Sequence, residues 1–246
     1  MGKLETFTRT SVCDKHGEYT EQGLKPFNSM LWSGCLKCGD ELKAEADAIK
    51  AMEQKFKENQ EQQVFFKSGG IMRRYQGLTL NNFSPMESQG AAFKIAMVFV
   101  KEFDRMERES KTIIFNGGVG TGKTRLVQSM LQSLGFGEYV RAVDISRRVR
   151  ATYSSNESEI SEVQKFVDCK CLVIDEVGIQ GGTEKEENLI TDIVDRRYGD
   201  MRPTIICSNL DNNQLEAAFG QRAWSRLQQN CIICPIKGQD QRKSTN

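Results

Sequence analysis

An eight-residue run, Gly117-Gly118-Val119-Gly120-Thr121-Gly122-Lys123-Thr124, narrows the folds open to this chain more than any other feature. It satisfies G-x-x-x-x-G-K-[ST] and lies between an apolar run, Thr112 to Asn116, and a helical pattern that starts at Lys123. Glycines in such a loop let the main chain wrap a phosphate with several N–H groups pointing inward, and the helix start adds partial positive charge. Lys123 then reaches the outer phosphates of a nucleotide and Thr124 holds Mg2+. The loop needs a strand before it and a helix after it, which commits this part of the chain to an α/β architecture.

The surrounding pattern agrees. After a helix candidate from Ala91 to Arg108, short apolar runs alternate with helical ones: Tyr139 to Asp144, helices near Ile145 to Tyr153 and Glu159 to Val167, then Cys171 to Asp175. A helix near Asn188 to Arg197, the run Thr204 to Cys207, a helix near Gln214 to Gln228 and the run Cys231 to Ile236 follow. Strand then helix, repeated, predicts a parallel sheet flanked by helices on both faces.

Two carboxylates, Asp175 and Glu176, end the apolar run Cys171-Leu172-Val173-Ile174, the edge where ligands bind in open α/β sheets. Asp175 is the expected Mg2+ ligand, directly or through water, and Glu176 the group that polarises an attacking water. A base beside the metal ligand favours water as phosphoryl acceptor, hence ATP hydrolysis over transfer to a small molecule. Asn209, at the tip of the next strand, is placed to sense the γ-phosphate. Arg222 and Arg226 lie four apart on one helical face, and Arg226, then Arg222, is the candidate for a guanidinium lent to a neighbouring subunit's γ-phosphate. Surface salt bridging is the competing reading.

Composition removes other classes. The 246 residues carry a net charge of +1, so nucleic-acid contact must come from a local patch. The longest apolar stretch, Ile95 to Val100, falls far short of the ~18 residues that span a bilayer. With the charged start Met1-Gly2-Lys3-Leu4-Glu5, a soluble cytoplasmic protein without a membrane partner is expected. Arg141, Arg147, Arg148 and Arg150 against Asp144, with Tyr153 following, form one basic patch suited to single-stranded DNA, or else a solvated helix face.

The cysteines fall into two groups. Cys13-x-x-His16 and Cys35-x-x-Cys38 pair soft ligands at one repeated spacing, and His16 is the sole histidine. That is the pattern of a closed tetrahedral Zn2+ site; an iron–sulfur cluster or free thiols are the alternatives. Cys169, Cys171, Cys207, Cys231 and Cys234 sit among apolar residues and read as reduced, packed side chains. The organisation expected is a zinc-binding module over 1–39, an amphipathic helix and hinge over 40–70 and a nucleotide-binding domain over 71–246. The helix carries Leu42, Ala46, Ile49, Met52 and Phe56 at helical spacing from Asp40, a candidate N-cap, and Ser68-Gly69-Gly70 breaks it.

The residues Gly117 to Thr124, Leu172 to Gln180, Ile193 to Arg197, Arg202 to Asn209 and Phe219 to Leu227 resemble the DnaC/IstB group of AAA+ ATPases, in order and spacing, over roughly 71–236. The resemblance is nearest to DnaC-type helicase loaders, and the amino-terminal zinc module is similar to phage and prophage versions. It implies a P-loop AAA+ core without a C-terminal lid, ATP-dependent self-assembly, and ATP control over binding to single-stranded DNA and to a hexameric replicative helicase. It also implies that the amino-terminal region engages the helicase. An IstB-like transposition helper shares the core and is the rival; a small-molecule kinase would need an acceptor pocket that no segment suggests, and a pure adaptor would use ATP only to switch shape. A DNA-binding zinc ribbon is disfavoured by the 10 basic and 11 acidic residues of positions 1–68.

Overall fold

The computed structural model describes residues 6–25, 29–154, 158–178 and 183–238. The amino-terminal residues Met1 to Glu5, Pro26 and the Ile179-Gln180 end of the second motif lie outside them. Chain contacts divide the protein into two units, Met1–Glu61 and Gln62–Asn246.

In the first unit, β1 (Thr6–Cys13) and β2 (Gly17–Leu24) form an antiparallel hairpin whose register runs from Thr6 opposite Leu24 to Cys13 opposite Gly17. The short β3 (Leu31–Trp32) adds to β2. The helix α1 (Leu36–Ser68) follows and crosses the division between the units. It begins four residues before Asp40, which is therefore not its N-cap. The turn Cys35 to Gly39 is already helical, the Gly39 N–H donating to the Cys35 carbonyl at 3.0 Å, so the second Cys-x-x-Cys knuckle doubles as the first turn.

The second unit is a five-stranded parallel sheet in the order β5-β6-β7-β4-β8: β4 (Thr112–Asn116), β5 (Glu138–Arg141), β6 (Leu172–Val177), β7 (Thr204–Ser208) and β8 (Cys231–Pro235). Alternate residues serve opposite faces. Ile113, Phe115, Val173 and Ile205 pack with α2 (Gly90–Lys101), α3 (Phe103–Arg108) and α4 (Lys123–Leu134), together with Phe66, Ile71 and Leu80. Ile114, Leu172, Ile174 and Ile206 pack with α5 (Ala142–Thr152), α6 (Glu159–Asp168), α7 (Glu184–Gly199) and α8 (Asn212–Asn230). Burial on both faces explains why the strands read as continuous apolar runs.

Other helices also depart from the sequence reading. The stretch expected as one helix from Ala91 splits into α2 and α3 because Glu102 leaves helical geometry (φ −112°, ψ 31°). Helix α8 is kinked at Gly220, whose φ of 75° no helix accommodates. Helix α5 starts at Ala142, three residues earlier than expected. Among the described residues no helix is long and apolar enough to cross a membrane. Cys171, Cys207 and Cys234 are buried, Cys169 and Cys231 half-buried, and all five are free.

Candidate functional site

The loop Gly117 to Gly122 leaves β4 at its carboxyl end and delivers Lys123 as the first residue of α4. Its bends need glycine: Gly117, Gly120 and Gly122 have φ of 147°, 77° and 88°. At Gly117 a Cβ would lie 2.1 Å from the Ile236 carbonyl oxygen, so the adjoining backbone closes the site from behind. The Lys123 ammonium donates to the carbonyls of Gly117 (2.6 Å) and Gly118 (2.8 Å), inside the loop it would leave on meeting phosphate.

Thr124 Oγ1 donates to Asp175 Oδ2 at 2.7 Å, joining the two residues expected to share Mg2+. Asp175 is 2% exposed, whereas Glu176 is exposed. In a regular strand the two would face opposite sides of the sheet. Here the β6–β7 pairing slips between Ile174 and Val177, and Glu176 adopts φ 61°, left-handed for a non-glycine residue. Both carboxylates consequently line one cleft of about 400 Å³, together with Val119 to Arg125, Arg74, Tyr75, Ser208 and Asn209. Asn209 sits just past β7, its turn fastened by the Ser208 hydroxyl, which donates to the Val177 carbonyl (2.7 Å) and accepts from Leu210 N–H (3.0 Å). A capping box between Asp211 and Gln214, 2.9 Å each way, starts α8 immediately afterwards.

The two candidate arginines do not line this cleft. Arg226 is ion-paired with Asp195 of α7. Arg222 is exposed and has no ion-pair partner among the described residues. The basic patch is neutralised within the chain: Arg141 and Arg147 pair with Asp144, Arg148 with Glu138 and Glu162, and Arg150 with Glu186. Arg148 also lies 4.3 Å from the Phe166 ring centroid, so it serves as packing as much as charge. Tyr153 is exposed, its hydroxyl on Glu159.

Sequence reasoning missed several residues here. Tyr139 of β5 donates its hydroxyl to Asp175 Oδ2 at 2.9 Å; burial, then the adjacent Asp175 charge, raises the phenol well above its ordinary range. The same burial raises Cys207 beneath the cleft. Arg197 is fully buried without a carboxylate: its guanidinium donates to the carbonyls of Phe166, Val167, Cys169 and Pro203 and to Thr204 Oγ1 at 2.5 to 2.9 Å. Burial lowers it to about 10, and five acceptors, three of them at the carboxyl end of α6, take up its N–H groups. A signal existed, since Arg197 continues the apolar stripe Ile190, Ile193, Val194 of α7.

In the first unit, Cys13, His16, Cys35 and Cys38 bring one ligand atom each to within 4.8 Å of one another. His16 Nδ1 lies 3.7, 3.6 and 3.3 Å from the sulfurs of Cys13, Cys35 and Cys38, and Cys13 Sγ lies 3.5 Å from Cys38 Sγ. A tetrahedral zinc with Zn–S bonds of about 2.3 Å sets its ligand atoms roughly 3.5 to 3.8 Å apart, so the four residues fit that ion. Nε2 of His16 meets Glu41 Oε1 at 3.1 Å, and Lys15 Nζ holds the other carboxylate oxygen at 2.5 Å, the outer partners a ligating imidazole takes. The main-chain N–H of Lys15, then the Cys38 thiol and the N–H of His16, pull the Cys13 thiol down to about 6, toward the thiolate that a metal would need. Cys38, as the opposite partner, is pushed up to about 11.

Residues 95–246 match the family described as IstB-like ATP binding protein. The chain is 31% identical over 202 residues to the replicative helicase loader DnaC of Escherichia coli K12, covering 78% of this chain and 81% of that one. It is 28% identical over 171 residues to DnaC of Buchnera aphidicola from Acyrthosiphon pisum, covering 64% and 66%. The fold resembles the crystal structure of the DnaC helicase loader (TM-score 0.61, 24% identity, 68% of this chain and 100% of that one). It also resembles AMPPCP-bound DnaA from Aquifex aeolicus (TM-score 0.56, 21% identity, 68% and 51%). The family match and the extent of identity to DnaC lead to one assignment: the chain belongs to the IstB/DnaC-like family of AAA+ proteins.

Proposed function

We propose that this protein is an ATP-dependent loader that places a hexameric replicative helicase on single-stranded DNA during replication. The observation that carries the ATPase part is the joint placement of Lys123, the Thr124–Asp175 pair and Glu176 around one cleft. The relationship to DnaC carries the loader part.

ATP would lie with its phosphates in the loop Gly117, Gly118, Val119, Gly120, Thr121, Gly122, whose N–H groups and Lys123 bind them. Mg2+, held by Thr124 and Asp175, would supply charge neutralisation at the β- and γ-phosphates. Glu176 accepts the proton of the attacking water, its left-handed backbone aiming it into the cleft. Asn209 lies where it can report the γ-phosphate. Arg226, released from Asp195, or Arg222 completes a neighbouring subunit's site, which makes hydrolysis depend on self-assembly. Residues 1–39 form a zinc module held by Cys13, His16, Cys35 and Cys38. Residues 40–70 supply the helix and the break after it, and 71–246 the ATPase domain.

On this reading the zinc module and α1 grip the helicase. The exposed Leu42, Ile49, Met52 and Phe56 support this, since among the described residues nothing covers them. With its arginines already paired, the α5 patch contacts single-stranded DNA only through exchange of those ion pairs. The assay is unwinding of a coated single-stranded template by the cognate helicase with and without this protein and ATP. Unwinding that depends on both is expected; no dependence and no helicase complex removes the loader assignment. The family description favours one other reading, an IstB-like helper in transposition. Capture of a transposase together with duplex DNA, in place of the helicase, would decide for it.

A further inference from the structure

The two oxygens of Asp175 accept three O–H and N–H donors, and the Cys207 thiol of β7 stands against them as a weaker fourth. Oδ1 takes the N–H of Glu176 at 2.8 Å; Oδ2 takes the hydroxyls of Thr124 at 2.7 Å and Tyr139 at 2.9 Å. These donors differ in kind. Thr124 belongs to the set expected to hold the cation, and Glu176 N–H belongs to the next residue on the same strand. Cys207 of β7 and Tyr139 of β5 come from separate elements and are not candidate ligands; the thiol is a weak donor, which leaves Tyr139 as the strong one. It is 7% exposed on β5, where a phenylalanine would fill the same space and leave no polar atom to satisfy.

The main chain of Tyr139 is also fixed. It pairs in register with Val173 of β6 on one side. On its other side, the edge of the sheet, Gly69 O accepts the Tyr139 N–H at 2.9 Å. Gly70, at φ 69°, packs so tightly that a Cβ there would sit 2.1 Å from the Tyr139 carbonyl oxygen. That segment is gripped in turn by Gln128 of α4, which accepts from Met72 N–H at 3.2 Å and donates to Gly70 O at 3.5 Å. A ring on such a backbone holds its hydroxyl at one place.

We propose that Tyr139 is a positioning residue for the cation site: its hydroxyl holds Asp175 Oδ2 in the orientation that serves Thr124 and Mg2+. The inference rests on the ATP–Mg2+ reading of the cleft. When Thr124 turns its hydroxyl toward a cation, Tyr139 remains as the strong side-chain donor that keeps the carboxylate from rotating, beside the weaker Cys207 thiol. Losing a hydrogen bond to a buried charged group then costs about tenfold in whatever depends on that orientation.

The test is a titration of full-length, zinc-loaded protein with a fluorescent ATP analogue at a series of Mg2+ concentrations and in EDTA. For Tyr139→Phe, affinity in EDTA should stay within about twofold of wild type while the Mg2+ concentration for half-maximal tight binding rises about tenfold. In an Asp175→Asn background the same replacement should add less than about twofold, because the group it acts through is gone. An unchanged Mg2+ requirement overturns the proposal. So does an equal loss with and without Mg2+, the mark of a packing defect. Absence of analogue binding by the wild type would instead remove the nucleotide reading, and the inference with it.

Discussion

On the zinc reading of Cys13, His16, Cys35 and Cys38, removing the metal should unfold the amino-terminal unit, because little else holds it together. Among the described residues up to Glu61, the buried positions are Glu21 and Gly23, and no aliphatic or aromatic side chain is buried. Trp32 is half-buried, covering Gly23 on one side, with the Arg9 guanidinium 4.1 Å from its ring centroid on the other. Partial cover of one tryptophan contributes no more than about 1.5–3 kcal/mol, the worth of one fully buried apolar side chain. A structural zinc in a small module contributes roughly 10–16 kcal/mol of apparent folding free energy at neutral pH. A zinc held by these four ligands would therefore outweigh burial several-fold. The chain has two tryptophans, and the other, Trp224, is buried in the second unit, so Trp224→Phe leaves Trp32 as a reporter of the module. Stoichiometric zinc removal by a strong chelator should shift Trp32 emission to that of a water-exposed tryptophan, and added zinc should restore it. Cys38→Ser should give the exposed spectrum from the outset and lower bound zinc from one per chain to none. Native-like Trp32 emission in protein shown to be zinc-free would refute the reasoning.

Three further outcomes follow from the geometry of the second unit. Glu176→Gln should bind ATP with affinity near wild type but hydrolyse it about 10²- to 10⁴-fold more slowly, measured as phosphate release; undiminished release would assign the base elsewhere. Arg197→Met strands the carbonyls of Phe166, Val167, Cys169 and Pro203, a loss of about 3–5 kcal/mol that should lower the melting temperature by roughly 10 °C; a shift under about 3 °C would contradict the role given to those hydrogen bonds. Gly70→Ala places a methyl against the Tyr139 carbonyl and should destabilise the unit by more than about 1 kcal/mol in chemical denaturation, whereas Gly77→Ala, with open space around its Cβ, should cost less.

What could be read before folding was whatever depends on local pattern. The glycine spacing of 117–122 specified its own backbone angles, and the apolar runs 112–116, 171–175 and 204–207 gave the buried strands because both faces of a parallel sheet demand the same residue types. Repeated spacing likewise paired Cys13 and His16 with Cys35 and Cys38. What escaped depends on residues distant in sequence. Nothing around Tyr139 announces that its hydroxyl meets a carboxylate 36 positions later. The register slip that turns Glu176 to the side of Asp175 arises between two strands and leaves no mark on either. The arginines of α5 read as a positive patch because the partners Glu138, Glu162 and Glu186 all come from other elements. Helix α1 starts before Asp40 for a related reason: the turn Cys35 to Gly39 is already helical, and Gly34 and Gly39 mask that geometry in the sequence.

Calorimetric titration of Mg2+–ATP into the folded, zinc-loaded chain tests the central claim most directly. One nucleotide should bind per wild-type chain, and Lys123→Ala, which removes the ammonium now lodged on the Gly117 and Gly118 carbonyls, should abolish the heat. No binding by the wild type up to millimolar ATP, or equal binding by the Lys123 variant, would contradict the account.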